Sequence, residues 1–253
     1  MSDVRILIVE DLGVAADMAA QTLKQAGPYT VETAHAPGQA IEILAAGRFD
    51  VVVADMLFRP DSDEFETRRR RGLVTLDDDR LHLSGLAVLD AVSQRGVRTR
   101  PVLWSSGEAN RRLHMIFAHE VLGCRVLCSK EAIADLPHAV ASAISGQDYI
   151  HPVLEMYLTP GFAKPLRETL LASSSRLLVW RAMALGQHQH KMIAKTAGVQ
   201  PNTIKKRMDE MRKVLLEFDP GCVADGSPSA ELIRYASQNW EFFLDETVRA
   251  RFP

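Results

Sequence analysis

The run Val51-Val52-Val53-Ala54 constrains this chain more than any other stretch, because it is apolar without alternation and stops at Asp55. A strand that is apolar on both faces must be covered on both faces, which is the situation of a parallel sheet between helices. Neighbouring segments agree. Residues 4–9, Val-Arg-Ile-Leu-Ile-Val, form a similar run ending in Glu10-Asp11, and a helical pattern through Ala15, Met18, Ala19, Leu23 and Ala26 follows, stopped by Gly27-Pro28. Residues 29–34 are expected as a strand, and Ala40, Ile41, Leu44 and Ala45 mark a helix closed by Gly47. Helices over 86–95, 108–120 and 131–145 alternate with strands over 101–104 and 125–128. The alternation predicts a doubly wound, five-stranded parallel α/β domain.

One segment departs from this rhythm. Residues 59–83 are polar and blocked by charge, with Asp61, Asp63, Glu64 and Glu66, then Arg68, Arg69, Arg70 and Arg71, then Asp77, Asp78 and Asp79. A loop of that length between a strand and its helix is unusual in a compact domain. It is expected to be an exposed, mobile insertion with a short strand or turn around residues 73–76.

In doubly wound folds the site lies beyond the carboxyl ends of the strands. Glu10 and Asp11 follow the first strand, Asp55 ends the third, Ser105-Ser106 the fourth and Lys130 the fifth. Carboxylates at neighbouring strand ends can hold Mg²⁺, which prefers hard oxygen ligands. A hydroxyl and an ammonium beside them can contact a phosphoryl group, with Asp55 as nucleophile. This set resembles the receiver domains of two-component response regulators over residues 3–152. The resemblance implies a flavodoxin-like fold, Asp55 as phospho-acceptor, Glu10 and Asp11 with Asp55 and the Leu57 backbone as Mg²⁺ ligands, and Ser106 and Lys130 as phosphoryl contacts. Ser84-Gly85 stands for the turn before the next helix. The chain departs from the family at Phe58-Arg59-Pro60, where the usual proline is shifted, and at Leu127, where the switch aromatic is expected.

The tail of this domain, Gly146-Gln147-Asp148-Tyr149-Ile150-His151-Pro152, resembles the end of a NarL/LuxR-type receiver. Pro160, Gly161 and Pro165 then interrupt the chain. Ser173-Ser174-Ser175 offers a cap for a helix reaching Leu185. Met192, Ile193, Ala194 and Lys195 fit a second short helix, Ala197-Gly198-Val199 a tight turn, and Gln200-Pro201-Asn202 the start of a third helix through Ile204, Met208, Met211 and Leu215. This spacing is that of a helix-turn-helix. It resembles a LuxR-type head, with Thr203-Ile204-Lys205 at the family's Thr-Val-Lys, while a sigma-factor region-four head would look similar. Lys205 and Arg207 are the candidates for base-edge contact, with Lys206 beside them; Lys191, Lys195, Asn202 and Thr203 are candidates for phosphate contact. Arg212 shares the charged side of the helix, and Asp209 and Glu210 keep an ordinary solvated face open as an alternative. His188 and His190 are expected as solvated loop residues.

The expected organisation is a receiver over 1–146, a linker over 147–168, an all-α helix-turn-helix domain over 169–217 and a helical extension over 218–253. In the extension Leu232, Ile233, Ala236, Trp240, Phe243 and Leu244 form an apolar stripe along a helix near 229–248, expected to pack on the head, with a dimer or partner contact as the alternative. The net charge of -2 over 253 residues excludes a polybasic binder, so any DNA surface is local. No apolar run is long enough to span a bilayer and the start lacks the pattern of a signal peptide, so a cytoplasmic protein is expected. Cys124, Cys128 and Cys222 are an odd set; the first two are expected as buried residues rather than metal ligands. The implied partners are DNA, a sensor histidine kinase, a second copy of the chain and RNA polymerase. The implied activity is transcriptional regulation, not enzymatic turnover beyond the acceptor's own phosphoryl chemistry. Two alternatives stay open: a phosphorylation-independent regulator whose receiver senses a protein or ligand, and an adaptor without DNA contact.

Overall fold

The computed structural model describes residues 4–75, 84–95, 99–108, 111–158, 165–222 and 227–252, with the side chains of 59–63, 65 and 228 outside the description. Asp77, Asp78 and Asp79, and Pro160 and Gly161, therefore lie outside the described residues. The chain divides into two compact units, one of Met1–Pro60 with His82–Leu158, the other of Asp61–Leu81 with Thr159–Pro253.

The first unit runs β1 (Val4–Val9), α1 (Gly13–Ala26), β2 (Tyr29–Ala34), α2 (Pro37–Ala46), β3 (Val51–Asp55), the start of α3 (Arg59–Arg70), α4 (Leu86–Gln94), β4 (Arg100–Ser105), α5 (Arg112–Glu120), β5 (Val126–Ser129), α6 (Leu136–Ser145), β6 (Tyr149–Ile150) and α7 (Pro152–Leu158). The sheet order is β2-β1-β3-β4-β5-β6, all parallel. β2 and β3 thus lie on opposite sides of β1, so the order reverses there and opens a crevice at the strand ends. β3 is buried throughout, whereas the edge strand β2 alternates between half-buried and exposed residues until Ala34. On one sheet face Ile6, Ile8, Val51, Val53, Val102, Trp104, Val126 and Cys128 pack with Ala19 and Leu23 of α1 and Leu136, Ala139 and Val140 of α6.

Three expectations are corrected here. The sheet has a sixth strand, not five. Gly146 ends α6 in the left-handed region at φ 72°, and the chain turns back so that Val126 pairs with Tyr149 and Leu127 with Ile150. That covers an edge of β5 that would otherwise present unpaired amides. The helix expected over 131–145 is a 3₁₀ segment over Lys130–Asp135, broken at Ala132, followed by α6. The helix expected over 108–120 begins as α5 only at Arg112.

The second unit contains most of α3, then α8 (Ser174–Ala184), α9 (His190–Thr196), α10 (Pro201–Phe218), α11 (Pro228–Gln238), α12 (Trp240–Leu244) and α13 (Glu246–Arg251). Ser173 caps α8 by accepting the Arg176 amide at 3.3 Å. Gly198 makes the α9–α10 turn with φ +65°, a conformation costly for residues with a Cβ. Ile204, Met208, Met211, Leu215 and Phe218 bury one stripe of α10. Among the described residues the helix expected near 229–248 is three short helices, not one. The Asn239 side-chain Nδ2 donates to the Tyr235 carbonyl at 2.9 Å where α11 stops, and Asp245 accepts the Thr247 backbone amide at 2.8 Å to start α13. Its stripe packs on α8 and α10. The Trp180 and Phe243 rings stack, and Glu231 holds Arg212 at 2.6 Å.

The insertion is the largest correction. Residues 59–70 form a helix, and Arg69 is only 8% exposed in the second unit. Glu66 lies one turn before Arg69 and Arg70 and pairs with both, at 2.5 and 2.6 Å. Acids in the first half and arginines in the last turn also suit the helix dipole.

Candidate functional site

At the carboxyl ends of β1, β3 and β5 the structure brings together Glu10, Asp11, Asp55 and Lys130. Ligand oxygens of the three acids lie within 4.8 Å of one another, and Glu10 and Asp55 are buried. The Lys130 ammonium sits between two of them, 2.5 Å from Glu10 Oε2 and 2.8 Å from Asp55 Oδ2. The other oxygens are held by backbone. Asp55 Oδ1 accepts the Met56 amide at 2.6 Å, and Glu10 Oε1 accepts the Leu12 amide at 3.1 Å. Burial pushes both carboxyls above their ordinary range. Asp55 adds to the rise at Glu10, while Lys130 opposes it at both and Arg111 opposes it at Asp55. Crowded acids short of one compensating cation suit a hard divalent ion, so the donor set fits a metal such as Mg²⁺.

The remaining expected pocket residues are placed differently. Ser106 is half-buried, and its hydroxyl donates to Glu108 Oε1 at 3.3 Å. Leu127 is fully buried on β5, paired with Leu103 and Ile150. Leu57 forms an isolated antiparallel bridge with Ser84, so both stems of the insertion fix the backbone that was expected to offer a ligand.

Four contributors were not singled out from sequence. Arg111 is 5% exposed, pairs with Glu108 at 3.2 Å and lends its charge to Asp55. Trp104, level with Asp55 in the β3–β4 register, places its ring 5.2 Å from the Lys130 nitrogen. The His35 ring bonds the Glu10 carbonyl at 2.9 Å. The Tyr157 hydroxyl of α7 donates to the Gly107 carbonyl, next to Ser106. The position of Trp104 two residues before Ser106 was the available signal; Arg111 and Tyr157 carry none without the fold.

In the second unit Asn202, Thr203, Lys205, Lys206, Lys191 and Lys195 are exposed and Arg207 is half-buried. Arg212 is taken up by Glu231. The ring of His190, expected in a solvated loop, instead bonds Ser229 at 3.0 Å and joins α9 to α11. Cys124 and Cys128 are buried and free. No helix among the described residues is long and apolar enough to cross a membrane.

Neither protein-family models nor curated protein sequences gave a match to this chain. Solved structures did. RcsB of Salmonella enterica serovar Typhimurium, bound to promoter rprA in the presence of the phosphomimetic BeF3-, aligns at 16% identity over 93% of this chain and 99% of that one, with a TM-score of 0.57. An RcsB–DNA complex aligns at 15% identity over 94% and 99%, and a structure of two RcsB dimers on two parallel DNAs at 16% over the same shares, each with a TM-score of 0.55. At such identity the likeness is one of fold. The chain has the fold of response regulators built from an α/β receiver and an all-α helix-turn-helix unit.

Proposed function

We propose that this protein is a two-component response regulator that binds DNA to control transcription and is switched by phosphorylation of Asp55. The observation that carries the reading is Lys130 held between Glu10 and Asp55 at the strand ends. In this reading an Asp55 oxygen attacks phosphorus, a P–O bond forms and the bond to a kinase phosphohistidine nitrogen breaks. Glu10, Asp11, Asp55 and the Leu57 carbonyl would hold Mg²⁺, which would neutralise charge on the phosphoryl oxygens. Lys130 donates to one of those oxygens, and Ser106 turns from Glu108 toward another. Lys205 and Arg207 then meet base edges, Lys206 lies beside them, and Lys191, Lys195, Asn202 and Thr203 meet phosphates, with a dimer on two half-sites and RNA polymerase as a later partner. The fold shared with DNA-bound RcsB supports this.

A second reading, a regulator that works without phosphate, is favoured by Leu127 in place of an aromatic and by Ser106 engaged with Glu108. One experiment separates them. The protein is incubated with a small-molecule phosphodonor and Mg²⁺ and its mass is followed. A phosphoryl adduct absent from Asp55→Asn is the expected result; no adduct, where a control receiver labels, selects the second reading.

A further inference from the structure

The insertion leaves and rejoins the sheet against the backbone of Asp55. Leu57 bridges Ser84, the Gly85 amide donates to the Met56 carbonyl at 2.9 Å, and a Cβ at Gly85 would overlap the Asp55 carbonyl oxygen. Between these stems, Asp61–Leu81 belongs to the second unit. Its anchor is Arg69. One guanidinium nitrogen donates to the Ala184 carbonyl at 2.7 Å, two others bond Glu66 at 2.5 and 2.8 Å, and the group lies 5.2 Å from the Trp240 ring centroid. Ala184 is the last residue of α8, where carbonyls have run out of helical partners. The next residues, 185–189, lead directly to α9 with Lys191 and Lys195. A buried guanidinium, forked onto Glu66 and donating its remaining nitrogen to that carbonyl, fixes where the helix-turn-helix begins.

We infer that Arg69 is a positioning residue of the DNA-reading unit, and that the insertion couples the backbone at Asp55 to that unit. The inference rests on the reading of Asp55 as the acceptor and of α9–α10 as the DNA reader. A displacement of the Asp55–Leu57 backbone moves the stem of the segment that carries Arg69, and the grip on Ala184 and Trp240 changes with it. Coupling of this kind is reciprocal, so loosening Arg69 must also be felt at the stems.

The test is amide hydrogen exchange on the full chain, comparing wild type, Arg69→Ala and Arg69→Lys. Without any phosphodonor, Arg69→Ala is expected to speed exchange at residues 185–187 and also at Met56 and Gly85, each by about fivefold or more. Arg69→Lys, which keeps the charge but loses the fork, is expected to fall between the two. With Mg²⁺ and beryllofluoride, the wild type is expected to change at both sets of amides, and Arg69→Ala at Met56 and Gly85 only. Faster exchange confined to 185–187 in Arg69→Ala would overturn the coupling and leave Arg69 a local staple. Wild-type rates throughout Arg69→Lys would overturn the role of the fork, and that variant decides the matter if Arg69→Ala does not fold. If beryllofluoride alters no amide in the wild type, the acceptor reading fails, while the donor-free comparison still decides the coupling.

Discussion

Trp180 of α8 and Phe243 of α12 lie in parallel planes, 9° apart, with 4.9 Å between ring centroids. Both are fully buried, and the Trp180 indole nitrogen donates to the Leu170 carbonyl at 3.1 Å. The C-terminal extension therefore supplies half of an aromatic contact at the centre of the helix-turn-helix unit. Phe243→Ala is expected to destabilise that unit by about 3–5 kcal/mol, and Phe243→Leu by much less. Chemical denaturation of the full chain checks this, and a loss below about 1 kcal/mol would mean that the extension is dispensable for the core.

Gly85→Ala tests the close approach to Asp55. The backbone there is ordinary, with φ -63°, so the penalty is steric rather than conformational. The added methyl must displace the Asp55 carbonyl, at a cost of about 1–3 kcal/mol. Thermal unfolding should show the loss, and phosphodonor labelling of Asp55 should fall with it; unchanged unfolding would mean that the stems part easily.

The acid pocket makes a prediction about cations. Burial holds the Asp55 and Glu10 carboxyls above their usual range, and the Asp55 charge adds to the rise at Glu10, so Asp55→Asn should raise the melting temperature when Mg²⁺ is absent. Mg²⁺ should stabilise the wild type by about 1.4 kcal/mol at tenfold its dissociation constant and leave Asp55→Asn nearly unaffected. Equal Mg²⁺ responses in a thermal titration would place the ion elsewhere.

His114 is fully buried in α5, and burial, helped by the Arg111 charge, holds its pKa down at about 3 against 6.5 unfolded. Between those values the unfolded chain binds a proton that the folded chain refuses. Stability contributed by the neutral ring is therefore complete above pH 6.5 and is lost progressively as pH falls, by about 2 kcal/mol at pH 5. Between pH 7 and 5 the stability difference between wild type and His114→Leu should shift by about 2 kcal/mol in favour of the variant; parallel curves would mean that His114 is not the group.

Lys205 and Arg212 share a helix but should behave as opposites. Lys205 is exposed, and Lys205→Ala should weaken promoter binding by about 1–3 kcal/mol with little change in stability. Arg212 is paired to Glu231 of α11, so Arg212→Ala should lower the melting temperature more than the affinity. Titration of labelled promoter DNA alongside thermal unfolding separates the two effects.

The parallel sheet was legible because strands buried on both faces leave long apolar runs, as in Val51-Val52-Val53-Ala54. The pocket acids were legible because the fold puts every strand end in one crevice. What was not legible depended on distant partners. Arg69 finds Ala184 across 115 positions, and nothing local distinguishes it from Arg68 or Arg70. The helix around it did leave a trace in the spacing of Glu66 to Arg69 and Arg70, masked by the expectation that charged insertions are loops. β6 is two residues long, too short to show a period, and exists only because the edge of β5 is there to pair with. The extension's apolar stripe could be read, but not the breaks at Asn239 and Asp245, which follow from side-chain bonds to the backbone.

The second unit is assembled from two pieces of chain, Asp61–Leu81 and Thr159–Pro253, with His82–Leu158 between them. Synthesis from the ribosome thus delivers its first helix well before the α8 carbonyl and the Trp240 ring that receive Arg69. Joining the pieces closes a long loop, whose entropic cost grows only with the logarithm of its length. Most of that loop is the first unit itself, which shortens the free path once it has folded. The order of events should therefore be fixed: sheet first, then the second unit around a helix already waiting for it.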